Sequence, residues 1–152
     1  MKVMLDPGSY MPKRAHDSDA GFDLRSPVEI IIEPALSGGR TATSSSGRIG
    51  CCAAIDTGVH MQIPQGYFGK VETKSGLNMN HNIVCCGGVI DEGYTGPIVV
   101  MLYNFSDKPY VIKRGDKIAQ LVIQPYLAPG LELVYELDET DRGDKGFGST
   151  GR

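Results

Sequence analysis

Short apolar runs rich in valine and isoleucine, each stopped by a turn signal before a long helix could form, constrain this chain most. Residues 1–5, 28–32, 51–63, 67–73, 98–105, 110–112, 118–124 and 131–137 read as strands. Between them stand Asp6-Pro7-Gly8, Glu33-Pro34, Pro64-Gln65-Gly66, Ser106-Asp107-Lys108-Pro109 and Ala128-Pro129-Gly130. Turn signals at a spacing of ~8–12 residues predict an all-β sandwich or barrel. Only residues 75–82 suit a helical turn, and no segment keeps a 3.6-residue period long enough for a βαβ unit. A length of 152 residues suits one domain.

Two segments depart from this cadence. Residues 36–47, LSGGRTATSSSG, are small and polar, and read as a flexible loop inside the domain. From Asp138 the chain becomes charged and glycine-rich, with Phe147 as its one large apolar residue. The expected organisation is a β domain over 1–137 and a mobile C-terminal arm over 138–152.

A formal charge of −3 argues against a broad polyanion-binding face, and so against a nucleic-acid partner. No apolar stretch approaches the ~20 residues of a membrane span. The cysteines form two adjacent pairs, Cys51-Cys52 and Cys85-Cys86, without Cys-x-x-Cys spacing. They read as buried thiols in a reducing compartment, the cytoplasm or a host's cytoplasm.

The chemistry concentrates in GVIDEGYTG, residues 88–96. An apolar run ends at Gly87-Gly88, Val89 and Ile90 deliver Asp91, and Tyr94 precedes Gly96-Pro97. This order reads as a β-hairpin arm with Asp91 and Tyr94 near its bend. Glycines there let a flat ligand lie on backbone groups. Taken singly, Asp91 reads better as a turn residue and Tyr94 as a packing residue. Thr73-Lys74-Ser75-Gly76, at a short helix start, reads equally as a phosphate seat or as a helix cap by Ser75. The pattern Gly-x-Gly-x-x-Gly at 146–151 lacks the following helix of a dinucleotide-binding turn. A glycine-rich tail can nonetheless wrap anions with backbone N–H groups.

Five blocks stand in order: AGFDLRS (20–26), PQGYFGKVETKSGL (64–77), GVIDEGYTG (88–96), KRGDKIAQLVI (113–123) and RGDKGFGSTG (142–151). Together they resemble the five motifs of the trimeric dUTPases. The resemblance implies a jelly-roll or barrel-like sandwich with one short helix and a flexible arm, assembled as a homotrimer with sites at subunit interfaces. It implies hydrolysis of dUTP to dUMP and pyrophosphate, limiting dUTP and supplying dUMP for thymidylate synthesis, with Mg2+ carried on the phosphates.

By the same resemblance Asp91 activates the attacking water, and Tyr94 underlies the deoxyribose and refuses a 2′-hydroxyl. The backbone of Gly88, Val89 and Ile90, with Val99 on the facing strand, pairs with uracil. Lys74, Ser75 and Gly76 hold phosphates from a neighbouring subunit, with Gln120 nearby, and Asp23 reaches the metal through water. The arm closes with Arg142 and Ser149 on phosphate and Phe147 on the base, and Gly148 among its substrate-binding residues.

Lys74 stands where the family usually has arginine, which removes a bidentate fork but keeps the charge. Two other readings compete. A dUTPase-like trimer could serve as a regulatory scaffold, with the 36–47 loop meeting a protein partner. A dCTP deaminase would need a glutamate near Met101, a side chain that cannot activate water.

Overall fold

The computed structural model describes residues 1–34, 51–86 and 88–144. The reading of 36–47 as a loop therefore lies outside the described residues, as do Gly87, Phe147, Gly148 and Ser149. The described strands are β1 (Lys2–Leu5), β2 (Gly21–Arg25), β3 (Ile30–Ile32), β4 (Cys52–Gln62) and β5 (Tyr67–Glu72), then β6 (Ile83–Cys85), β7 (Val89–Ile90), β8 (Pro97–Asn104), β9 (Tyr110–Ile112) and β10 (Lys117–Pro125). One sheet runs β1-β4-β8-β6, a second β2-β10-β5-β7, and β3 pairs with β9.

Alternation builds the core. On β8, Ile98, Val100, Leu102 and Asn104 point inward while Val99, Met101 and Tyr103 point outward. Ile55, Val100 and Leu102 of the first sheet share one cluster with Leu24, Val71 and Leu121 of the second. This is the expected all-β sandwich. The fully buried Asn104 is satisfied on every side: its amide donates to Ile32 O (2.9 Å) and Lys108 O (2.8 Å), and its Oδ1 accepts from Ser106 N–H (2.9 Å) and Oγ–H (2.7 Å).

The predicted helical turn is α1 (Ser75–His81), ended by Asn82 at φ 53°. Lys74, not Ser75, occupies the N-cap position, and no side chain caps the helix. The cap reading of Ser75 is thus set aside.

Four expectations change. Residues 131–137 form no strand, and Leu131 is 99% exposed. Their apolar alternation is real, but no edge among the described strands takes them up. Residues 21–25, not anticipated as a strand, form β2 between Lys13 and β10. Of the cysteines only Cys51 is buried; Cys52 and Cys85 are half-buried and Cys86 is exposed just beyond β6. None of the four forms a disulfide.

The fourth change concerns the hairpin. β6 pairs with β8 through Ile83↔Asn104, Val84↔Tyr103 and Cys85↔Leu102, and Cys86 N–H reaches Met101 O. Beyond that point the arm splays. Val89 and Ile90 leave β8 and pair with Lys70 and Gly69 of β5 in the other sheet.

Candidate active site

Splaying leaves a gap between two strand edges. β7 is the outermost strand of its sheet, and β8 loses β6 as a neighbour before Val99 is reached. The gap is a cleft of about 270 Å³ lined by Gly88, Val89, Ile90, Asp91, Tyr94, Pro97 and Val99. Unpaired strand edges offer backbone donors and acceptors to whatever enters.

Gly88 is required twice over. Its φ is +119°, and a Cβ there would come within 2.7 Å of Val71 Cβ. Its carbonyl accepts from Val71 N–H at 2.9 Å, which binds the start of β7 to β5. Packing against β5 by itself therefore requires glycine at this position.

Asp91 is exposed at the mouth of this cleft, and its carbonyl accepts from Tyr94 N–H at 3.1 Å. Tyr94 folds back so that its hydroxyl donates to Pro97 O at 3.0 Å. The ring covers Gly96, where any Cβ would run into it. Glu92, read from sequence only as a turn residue, accepts from Gly66 N–H at 2.6 Å and anchors the loop to the β4–β5 turn.

A second group gathers on the face of the β2-β10-β5-β7 sheet away from the core. Register places Gln120 between Asp23 and Glu72. Asp23, 6% exposed, accepts from Lys74 Nζ on Oδ1 and from Lys117 Nζ on Oδ2, both at 2.6 Å. Burial alone would raise its pKa, but the hydrogen bonds from Lys117 and Lys74 outweigh burial and hold the carboxyl below the usual range. Gln120 donates to Thr73 O at 3.2 Å, and a Cβ on Gly21 would meet its Oε1 at 2.7 Å. Ser75 and Gly76 are exposed, and the space beside Gly76 is open. Lys117 joins this group through Asp23 and was not singled out from the sequence. The only signal was its place in the fourth block, where it reads as a surface lysine.

None of Asp23, Lys74 or Gln120 lines the Asp91–Tyr94 cleft. Arg142 is exposed beside a turn closed by Gly143 N–H on Thr140 O.

Among the described residues no three His, Cys, Asp or Glu side chains gather as a metal cage. Each Asp23 oxygen takes one lysine and keeps a lone pair for a water. That donor set fits a hydrated ion held mainly by substrate phosphates, and does not fit a directly ligated one.

The dUTPase family model matches residues 8–151. The deoxyuridine 5'-triphosphate nucleotidohydrolase of Paramecium bursaria Chlorella virus 1 is 39% identical over 140 residues, covering 92% of this chain and 89% of its own. The mouse enzyme of the same name is 37% identical over 150 residues, covering 99% and 83%. Among solved structures, the Staphylococcus bacteriophage 80alpha dUTPase with dUpNHpp superposes with a TM-score of 0.83 at 30% identity, covering 99% of this chain and 98% of that one. A point mutant of the dUTPase from phage phi11 of S. aureus, described with a structural Mg(II) ion, superposes with a TM-score of 0.74 at 30% identity, covering 91% and 98%.

Proposed function

The chain belongs to the dUTPase family, and from that premise we propose how its own residues hydrolyse dUTP to dUMP and pyrophosphate. The splayed cleft carries the reading: two open strand edges, one carboxylate at the mouth and a tyrosine folded onto a glycine shelf. Uracil pairs with the backbone of Gly88, Val89 and Ile90, with Val99 against its face. Cytosine presents reversed hydrogen-bond polarity at one edge, so it would strand buried groups at ~1–3 kcal/mol each. Tyr94 lies under the deoxyribose, where a 2′-hydroxyl has no room. Asp91 orients and deprotonates the water that attacks phosphorus in line.

Lys74, Ser75, Gly76 and Gln120 bind the phosphates from a neighbouring subunit of a homotrimer. Their absence from the lining of the cleft supports this, as does the exposure of Leu127, Leu131, Leu133 and Leu137, an apolar run that a second copy would cover. The arm completes the site with Arg142, Phe147, Gly148 and Ser149. Asp23 holds Lys74 in place and contacts a water of the ion. Bound on the phosphates, Mg2+ supplies charge neutralisation. No described helix is long and apolar enough to cross a membrane, and the thiols suit the cytoplasm, of a cell or of a host.

The scaffold-only and deaminase readings are not favoured, since the matching relatives carry the name of dUTP nucleotidohydrolases. Pyrophosphate release from dUTP, dCTP, dTTP and UTP side by side tests the assignment. Turnover of dUTP far above the other three is expected, and equal rates on UTP would remove the role of Tyr94.

A further inference from the structure

His60 lies outside all five blocks, yet its ring touches the loop that carries Asp91 and Tyr94. A bulge in β4 brings it there. Between Asp56 and His60 the β4–β8 register shifts, with Gly58 at φ +61° and Thr57 Oγ1 donating to Ile98 O at 2.7 Å. After the shift His60 stands opposite Pro97. Proline has no N–H, so the ladder cannot continue through it. The His60 ring supplies a donor instead. Its Nδ1 lies 2.8 Å from Thr95 O, and because a carbonyl only accepts, Nδ1 bears the proton.

The other ring nitrogen points towards a carboxylate. Nε2 is buried, without a hydrogen-bond partner, and faces Asp6 Oδ1 at 3.4 Å. Asp6 is itself fixed through its N–H to Gly58 O at 2.8 Å, and so to the same bulge. Carboxylate, imidazole and carbonyl thus form a line that ends on Thr95. The peptide beyond Thr95 is Gly96, the shelf under the Tyr94 ring, and Pro97 O receives the Tyr94 hydroxyl. The His60 ring lines none of the nucleotide cleft.

We propose that His60 is a specificity-determining positioning residue: it fixes the Thr95–Pro97 shelf, and through it the tyrosine that discriminates deoxyribose from ribose. The proposal rests on the dUTPase reading of the Asp91–Tyr94 cleft. Without the Thr95 tether, the shelf and Tyr94 shift together and the 2′ position opens.

Asparagine and glutamine separate the two ring nitrogens, because the amide of His60→Asn stands near Nδ1 and that of His60→Gln near Nε2. Steady-state kcat/KM for dUTP and for UTP is measured on the wild-type trimer and both variants. For His60→Gln the dUTP-to-UTP ratio should contract about tenfold, the worth of one lost hydrogen bond at a discriminating contact. His60→Asn should keep the ratio within about threefold of wild type, a rescue that loss of packing alone would not give. Wild-type discrimination in His60→Gln, or equal contraction in both variants, overturns the proposal and leaves the dUTPase assignment intact. A wild-type protein without dUTP turnover overturns that assignment and this proposal with it. If His60→Gln does not fold, His60→Leu, which keeps most of the bulk but offers no donor to Thr95 O, takes its place with the same expected contraction.

Discussion

Lys74 Nζ and Asp23 Oδ1 lie 2.6 Å apart although 51 residues separate them in sequence, and Lys117 Nζ closes on the other oxygen of the same carboxylate. One buried negative charge therefore holds two ammonium groups, one from β10 and one from the N-cap of α1. Lysine is a flexible point charge without the fixed fork of arginine. The Asp23 contact gives this lysine the orientation that a guanidinium would have brought with it.

That relationship has a pH signature. The Asp23 carboxyl titrates below its ordinary value in the folded chain, so its contribution to stability is present above the unfolded pKa of ~3.9 and is lost as pH falls through the depressed folded value. In EDTA-treated protein, urea denaturation should show Asp23→Asn less stable at pH 7 by about 1.5–3 kcal/mol, the range for hydrogen bonds to a charged group. The gap should narrow towards pH 3. A gap that stays constant down to pH 2 would mean that Asp23 gains nothing from its two lysines.

Asp91→Asn is nearly isosteric and leaves the Tyr94 N–H contact to the Asp91 carbonyl untouched. An amide can hold a water but cannot take its proton. Turnover of dUTP should drop by ~10²–10⁴, with binding of a non-hydrolysable analogue little changed. Retention of more than about a tenth of wild-type turnover is incompatible with a general base at this position.

Gly96→Ala tests the shelf directly, since its Cβ would collide with the Tyr94 ring. The ring must lift, and discrimination between dUTP and UTP should shrink about tenfold or more while the protein stays folded. The ratio of kcat/KM values reads this out.

Asn104→Ala should be the most damaging of these changes to stability. It removes the donor to the buried Ile32 carbonyl and to Lys108 O, and the acceptor of Ser106 N–H and Oγ–H. A loss of about 3 kcal/mol is expected by chemical denaturation, within the range for stranding buried polar groups.

Much of this architecture was legible because strands and turns are local. The Val and Ile alternation of β8, the limits of β9 and the single helical turn follow from neighbouring residues. What sequence hid depends on partners far along the chain. The splay of the hairpin follows from β5 capturing Val89 and Ile90, which no local signal announces. That Asp23 also holds Lys74 and Lys117 on its two oxygens is a long-range pairing with no local signal. Glu92 looks like a turn residue until Gly66 is found against it. The converse error is residues 131–137, whose strand-like alternation has no edge to join within the described chain. Apolar alternation states that a segment needs a partner, not where the partner is.

That last point leads to the crossed arrangement of the arm. Leu131, Leu133 and Leu137 are exposed apolar side chains leading into a charged, glycine-rich terminus, so they gain by lying on a surface this chain does not offer. If the arm closes over a site whose Asp91 belongs to another subunit, two defective proteins should repair each other. One is Asp91→Asn with its arm intact; the other is truncated after Asp141 with Asp91 intact. Each homotrimer lacks one component in every site and should be nearly inactive. In any mixed trimer of cyclic geometry, one site joins the Asp91 of a truncated chain to the arm of its neighbour. Turnover of dUTP should therefore reappear after subunit exchange, and should vanish when exchange is blocked by crosslinking beforehand. If the arm instead closed over its own Asp91, no mixed trimer would hold a complete site. Mixed trimers verified by mass spectrometry that stay as inactive as both parents would rule out the crossed arrangement.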